Sequence, residues 1–520
     1  MGVDMSETGA ARARGEWHGE TAVCQEATLA SSDRGFTALL EMVDICVGIV
    51  PAERTLMLRR VSRRIRASLA KLRLPAVVSL QEGVHRVPGR VEAVLSRAMA
   101  SFDITGFTLP PGEIRHDGVG SLLVLGLCPA ASTLSLRDNK IGPKGVERLA
   151  GLLSKLGGSV THLDLRGCDI GNQGLSKLAA VLSRCPALSH LDLADNGIGF
   201  EGAASLGAAL GECRALRHLD LESNELGSRG ADGLASGLSE LPELTHINVG
   251  FNNIGDHGAE KISWALRHCP ELSVLDLAGN EIGARGAGRV AGLLWHRGSL
   301  DQLILGYNRL GAEGAGRIAG VLKKCRQLAH LDLRSNKVGH EGASRLAAVL
   351  EECPLLAHLN LRNNRLGAKG AGVLAGALQK CATLSHLDLR NNEIGDQGAE
   401  RIATVMSQCG SLHHLDLGDN WIGSEGAEKL AGGLGDCQHL AYLDLGSNSI
   451  GSEGAERLAE VLCKCSSLVS VILKANRIGS QGADMLAQAA DRCPLLAHLD
   501  LRANGVESGS TVGSKLICVG

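Results

Sequence analysis

The sequence predicts an α/β solenoid of stacked repeats, and three observations predict it. In the segment His330–Ala357, Leu331 and Leu333 point one way while His330, Asp332 and Arg334 point the other, the pattern of a short strand with one buried face. From Gly342 onward the apolar residues Ala343, Leu346, Ala347, Leu350 and Cys353 recur at helical spacing. Neither half buries its apolar face alone, and the whole unit recurs along the chain, so each copy must cover the next.

The repeat is read from its asparagine. Asn336 has counterparts at Asn196, Asn224, Asn252, Asn280, Asn308, Asn364, Asn392, Asn420, Asn448, Asn476 and Asn504, each 28 residues from the next. Cys168 stands one step earlier, and Asn139 a further 29 residues back, which makes 14 positions. Glycines follow three and six residues later in every copy from Asn139 to Asn476. Such an asparagine can bond backbone groups where the chain leaves the strand, and the glycines allow a tight turn and a close helix approach. The pattern resembles the LxxLxLxxN leucine-rich repeat of the ribonuclease-inhibitor type, also found in NOD-like receptors, over about 380 of the 520 residues. The resemblance implies a horseshoe with parallel strands on the concave face and helices on the convex face. It stops at the repeats, because no nucleotide-binding module precedes them.

Composition bounds the rest. Aromatics make up only 2% of the chain, as suits thin layers of Leu and Ala, and the net charge of −3 favours neither nucleic acid nor an anionic membrane. With no secretory leader and no apolar run of about 18 residues, a cytoplasmic or nuclear location is expected. Of 16 cysteines, eleven (Cys128, Cys185, Cys213, Cys269, Cys325, Cys353, Cys381, Cys409, Cys437, Cys465, Cys493) lie eleven residues before an asparagine position. Leu241 fills the same slot, so these read as buried reduced thiols, spaced beyond the ~7 Å limit for a bridge. In Cys463–Lys464–Cys465 a second cysteine stands beside a column one, a redox or metal pair by spacing, but Cys465 already belongs to the buried column.

In chain order, residues 1–34 are small and polar and read as disordered. Met1–Ser6 matches the myristoylation pattern, with Gly2 as acceptor; one acyl chain beside only Arg12 and Arg14 anchors weakly, so no stable membrane association is expected. Residues 35–100 read as a helical module whose second helix, Ala52–Leu72, has an apolar stripe and a basic face. The stretch from Leu39 through Leu80 resembles an F-box, the helical module that docks a substrate receptor onto a cullin ubiquitin ligase. On that resemblance Leu39, Leu40, Val61 and Ile65 would meet the ligase adaptor. Thr37-Ala38 stands where the family has Leu-Pro, and Ile65 where it has an aromatic. Residues 101–130 read as a transitional cap, 131–507 as the repeats, and 508–520 as a tail.

Function is expected on the concave face. The first outward strand column is mostly histidine, from His162 to His498, and the second mostly aspartate, from Asp164 to Asp500. Regular stripes offer no closed ligand set and no nucleophile in a pocket, so neither a metal, a cofactor nor catalysis is expected, and the stripes read as a solvated ladder. Two interruptions stand out. Around Asn252–Asn308 the stripes give way to Val274, Gln302 and Ile304, flanked by Phe251, Tyr307 and glycines. Around Asn420–Asn476 stand Trp421, Tyr442 and Ile472. Between them Arg334, Arg362 and Arg390 form a basic stripe, which Asp332 and Asp388 would neutralise. Aromatic and Arg anchors dominate protein interfaces, so a non-enzymatic scaffold holding a protein partner is expected. Two alternatives are an F-box substrate receptor and a Ran-type GTPase-activating protein; the latter resemblance implies an acidic tail, and none follows the repeats.

Overall fold

A computed structural model of the chain describes residues 132–156 and 158–506, together with the backbone of three short strands, Ala76–Ser79, Ile104–Thr108 and Leu516–Cys518. Gly2, Leu39, Leu40, Val61, Ile65 and Cys128 lie outside the described residues.

Among the described residues, fourteen three-residue strands from Thr133–Ser135 to His498–Asp500 alternate with thirteen helices from Gly142–Leu156 to Gly479–Arg492. Consecutive strands pair in parallel and in register, His330 with His358 and Asp332 with Asn360. The single extra residue of the first full repeat is absorbed before Thr133 pairs with His162. Ile104–Thr108 pairs with the first of these strands and Ala76–Ser79 with it in turn, while Leu516–Cys518 extends the other end. The stretch read from sequence as a helical module therefore contributes a strand. This is the expected α/β leucine-rich-repeat horseshoe, with the sheet inside and the helices outside.

Strand leucines such as Leu331 and Leu333 and helix residues such as Ala343, Leu346 and Leu350 are fully buried in one continuous core. The asparagine column locks that core. Asn392 Nδ2 donates to Leu361 O (2.8 Å) and Leu389 O (2.9 Å), and its Oδ1 accepts from the N–H of Asn364 (2.9 Å) and Leu366 (3.4 Å). One buried amide thus satisfies backbone groups of two repeats. Where the column holds Cys168, the thiol donates to Leu136 O at 3.0 Å, and burial pushes its pKa up to about 12.

The two glycines differ in role. Gly339 sits at φ +62°, a left-handed turn into the helix. Gly342 is needed for space, since a Cβ there would fall 2.5 Å from Val338 Cγ1 and 3.2 Å from Ala312 Cα. At Gly199, Gly283 and Gly423 the first glycine is extended instead, and the helix starts one residue later. There the previous repeat supplies a cap: Asp396 Oδ1 accepts from Gly423 N (2.6 Å) and Gly426 N (2.9 Å), and Asp256 and Asn172 do the same for their neighbours.

The described column cysteines are buried and unbridged. Cys465 Sγ donates to the backbone carbonyl of Cys437, its counterpart in the previous repeat, at 2.9 Å. Cys463 does not join the column and is exposed.

Candidate functional site on the concave face

The histidine column is a stack rather than a solvated ladder. Rings of His162, His190, His218 and His246 lie face to face with centroids 3.9–4.1 Å apart. A second stack runs from His330 through His358, His386 and His414 to Tyr442, whose ring lies flat on His414 at 4.0 Å. The reason is the strand spacing of about 4.8 Å, which sets side chains in one column at the centroid separation of offset-stacked rings. In His162, His190, His246 and His386 the Nδ1 sits 2.8 Å from the hydroxyl of the preceding Thr or Ser. Each of those hydroxyls also donates to a carbonyl of the previous strand, at 3.0–3.1 Å. A hydroxyl has one proton, so Nδ1 must be the donor and Nε2 the free lone pair. Burial, then the neighbouring imidazoles, lower the pKa of His190 to about 4 and of His218 to about 3.

The aspartates are held against the backbone. Asp276 Oδ1 accepts from Ala278 N at 2.8 Å and Asp332 Oδ1 from Arg334 N at 2.9 Å, a contact repeated along the column. Burial raises the pKa of Asp276 to about 7 and of Asp332 to about 6. Asn248 and Asn360 make the same backbone contact without a charge.

Both columns break at Val274, Gln302 and Ile304, which separates the two ring stacks. Alongside, the next outward column holds only Gly250, Ala278 and Gly306, so the floor is a shallow trough three repeats wide. Phe251 and Tyr307 stand on the strand-exit edge of that trough, 42% and 38% exposed, with ring centroids 5.9 Å apart. Each is held in the left-handed region, at φ 55° and 56°, just before the repeat asparagine. The Phe251 ring lies over Gly279, where any Cβ would fall 2.4 Å from Cδ1. Arg334 extends the row: its guanidinium carbon is 5.2 Å from the Tyr307 ring centre, and its Nε is 2.9 Å from Asp332 Oδ2. Its stem lies over Gly306, 2.9 Å from where a Cβ would stand. Phe251, Tyr307 and Arg334 thus form one row, with half-buried Val274 across the trough. Ile304 is only 5% exposed and backs the site instead of lining it.

The remaining sequence-derived residues are placed differently. Trp421 follows its asparagine instead of preceding it; it is 67% exposed and contacts no other ring among the described residues. Tyr442 ends a ring stack, and half-buried Ile472 stands in the aspartate column. Arg390 crosses Gly418 to reach Asp444 at 3.3 Å, not the expected Asp388; exposed Arg362 is the arginine whose charge acts most on Asp388. Sequence reading missed Trp264 and Trp295, exposed on neighbouring helices of the convex side. The signal available was Arg297, which fills the slot of the buried cysteine column and turns its guanidinium Nε to Arg267 O at 2.9 Å.

A family model described as Leucine Rich repeat matches residues 132–150, 159–179, 184–207, 212–235, 241–263, 268–291, 324–347, 352–375, 380–403, 408–431 and 436–459. This is a leucine-rich repeat protein. Within the leucine-rich repeat array the matches skip 292–323, the segment carrying Gln302, Ile304 and Tyr307, and stop before Ser470 and Ile472. No curated protein matches the chain. Among solved structures it is similar to an internalin from Listeria monocytogenes, at 18% identity and TM-score 0.37, covering 80% of this chain and 88% of that one. It is also similar to the Rad7 and Elc1 complex in yeast, at 15% identity and TM-score 0.40, covering 90% and 98%. A third is the TLR13–ssRNA13 complex, at 18% identity and TM-score 0.46, covering 84% and 62%.

Proposed function

We propose that this leucine-rich repeat protein is an interaction scaffold that holds a protein partner on its concave face, anchored at Phe251, Tyr307 and Arg334. The observation that supports this reading is the row of two exposed aromatic rings and half-buried Arg334 beside a trough with no side chain larger than alanine in its third column. Aromatic and Arg anchors carry most of the energy of protein interfaces. A rigid strand array also lowers the entropy cost of docking, because the anchors are already in place. Arg334 is ion-paired with Asp332, so it offers an oriented, partly neutralised guanidinium that suits a polar or carbonyl-rich partner surface.

The test is affinity purification of the intact chain beside a Phe251→Ala/Tyr307→Ala variant, with Trp421→Ala as control, followed by titration of each captured protein. The double variant should bind the partner at least roughly tenfold more weakly, since each truncated anchor typically costs more than ~1 kcal/mol. Its melting temperature should change little, because both rings are well exposed. Equal affinity of wild type and double variant would move the site elsewhere.

A further inference from the structure

Cys463 stands apart from every other described cysteine. The position thirteen residues before the repeat asparagine holds Ser183, Gly211, Arg267, Trp295, Lys323, Glu351 and Gln379 in other repeats, and a cysteine only here. It is exposed, whereas the column thiols are buried. Its sulfur lies 2.9 Å from that of Cys493, in the next repeat. Helix length explains the meeting. The helix Gly451–Leu462 has 12 residues, and Cys463 is the first residue past it. The last helix, Gly479–Arg492, runs to 14 residues, so Cys493 is also the first residue past its helix, although Cys465 stands three past its own. The longer helix lifts one column thiol to the level of its neighbour's exposed one. Both sulfurs then lie near the same carbonyl, Ala489 O, at 3.2 and 3.0 Å.

We propose that Cys463 and Cys493 are a redox modification site, a dithiol that a hydroperoxide converts to a disulfide joining the last two helices. The exposed Cys463 thiolate attacks one peroxide oxygen; the S–O bond forms as the O–O bond breaks, and water (or an alcohol) leaves with the second oxygen. The Cys493 thiol then attacks the Cys463 sulfenic sulfur. The S–S bond forms, the sulfenic oxygen leaves as water, and the Cys493 proton goes with it. Two electrons pass from the sulfur pair to the peroxide, and a dithiol reductant reverses the step by exchange. The consequence is mechanical. A terminal repeat has one neighbour instead of two and frays first. A covalent tie between residues 463 and 493 closes a loop around the strand Ser470–Ile472 and holds the helix Gly479–Arg492, the last among the described residues, on the array.

The experiment treats the intact native chain with hydrogen peroxide, blocks remaining thiols by alkylation and maps cross-linked peptides without reduction. The expected result is a Cys463–Cys493 linkage and loss of two alkylatable thiols, reversed by dithiothreitol and absent in Cys463→Ser. Backbone amides of Gly479–Arg492 should exchange roughly tenfold more slowly in the oxidised chain. Cys463 remaining alkylatable after peroxide, stopping at a sulfinic acid, or linking to Cys465 instead would overturn the proposal. Cys463→Ser alters an exposed position, so a folded control is available; Cys437→Ser should leave the linkage intact.

Discussion

A single buried side chain can do opposite things at two pH values, and Asp276 is the case to test. Its carboxyl is forced up to about 7 from an ordinary 3.8, chiefly by burial. A raised folded pKa contributes stability that is fully present below 3.8 and lost as pH rises through about 7. Asp276→Asn should therefore stabilise the array at pH 8, by about 1–2 kcal/mol after allowance for partial exposure, and change little at about pH 3.5, below the ordinary carboxyl value. Denaturant titrations at the two pH values check it. Asn248 and Asn360 already show that the backbone contact survives the exchange. The histidines run the other way: His190, lowered to about 4, costs the fold stability as pH falls from 6.5 to about 4. Asn392 is the larger risk. Its removal strands donors and acceptors in two repeats, so Asn392→Ala should cost roughly 2–4 kcal/mol in a denaturant titration. Only part of this was visible beforehand. The asparagine's bonding role follows from its spacing alone; the raised carboxyl follows from burial, which spacing does not report.

At the scale of the element, the helices are joined by caps that belong to the neighbouring repeat. Asp396 lies in the first turn of its own helix, Gly395–Met406, yet its Oδ1 receives two N–H groups of the next one. Asp396→Ala should loosen the start of Ser424–Gly435, at a cost of about 0.5–2 kcal/mol, and hydrogen exchange of Gly426 and its neighbours should report it first. A strand of three residues is likewise an element only in company: His414–Asp416 is held by the strands on each side. Strand and helix halves were legible from alternation and helical spacing. The cap was not, because Asp396 and Gly423 are 27 residues apart, and nothing local says which glycine will be extended.

For the whole molecule, the repeat turns columns into continuous features: an asparagine ladder, two ring stacks and a carboxylate stripe. Function is sought where the columns fail. The row Phe251, Tyr307 and Arg334 depends on Gly279 and Gly306 giving room to side chains from neighbouring repeats. Gly279→Ala should therefore displace the Phe251 ring and weaken partner binding as much as loss of the ring itself. Intact affinity in that variant would show that the ring's seat is irrelevant.

By itself the sequence determined the repeat, its register, the buried face and the breaks in the outer columns, because a strict 28-residue period leaves one way to align neighbouring strands. Only the tertiary structure decided which side chains touch across repeats. It paired Arg390 with Asp444, laid Phe251 on Gly279, buried Ile304 and brought Cys463 to Cys493. Those contacts depend on rotamers and on helix lengths that differ by two residues between neighbours. The period of a sequence records where each residue recurs, but not how far its side chain reaches.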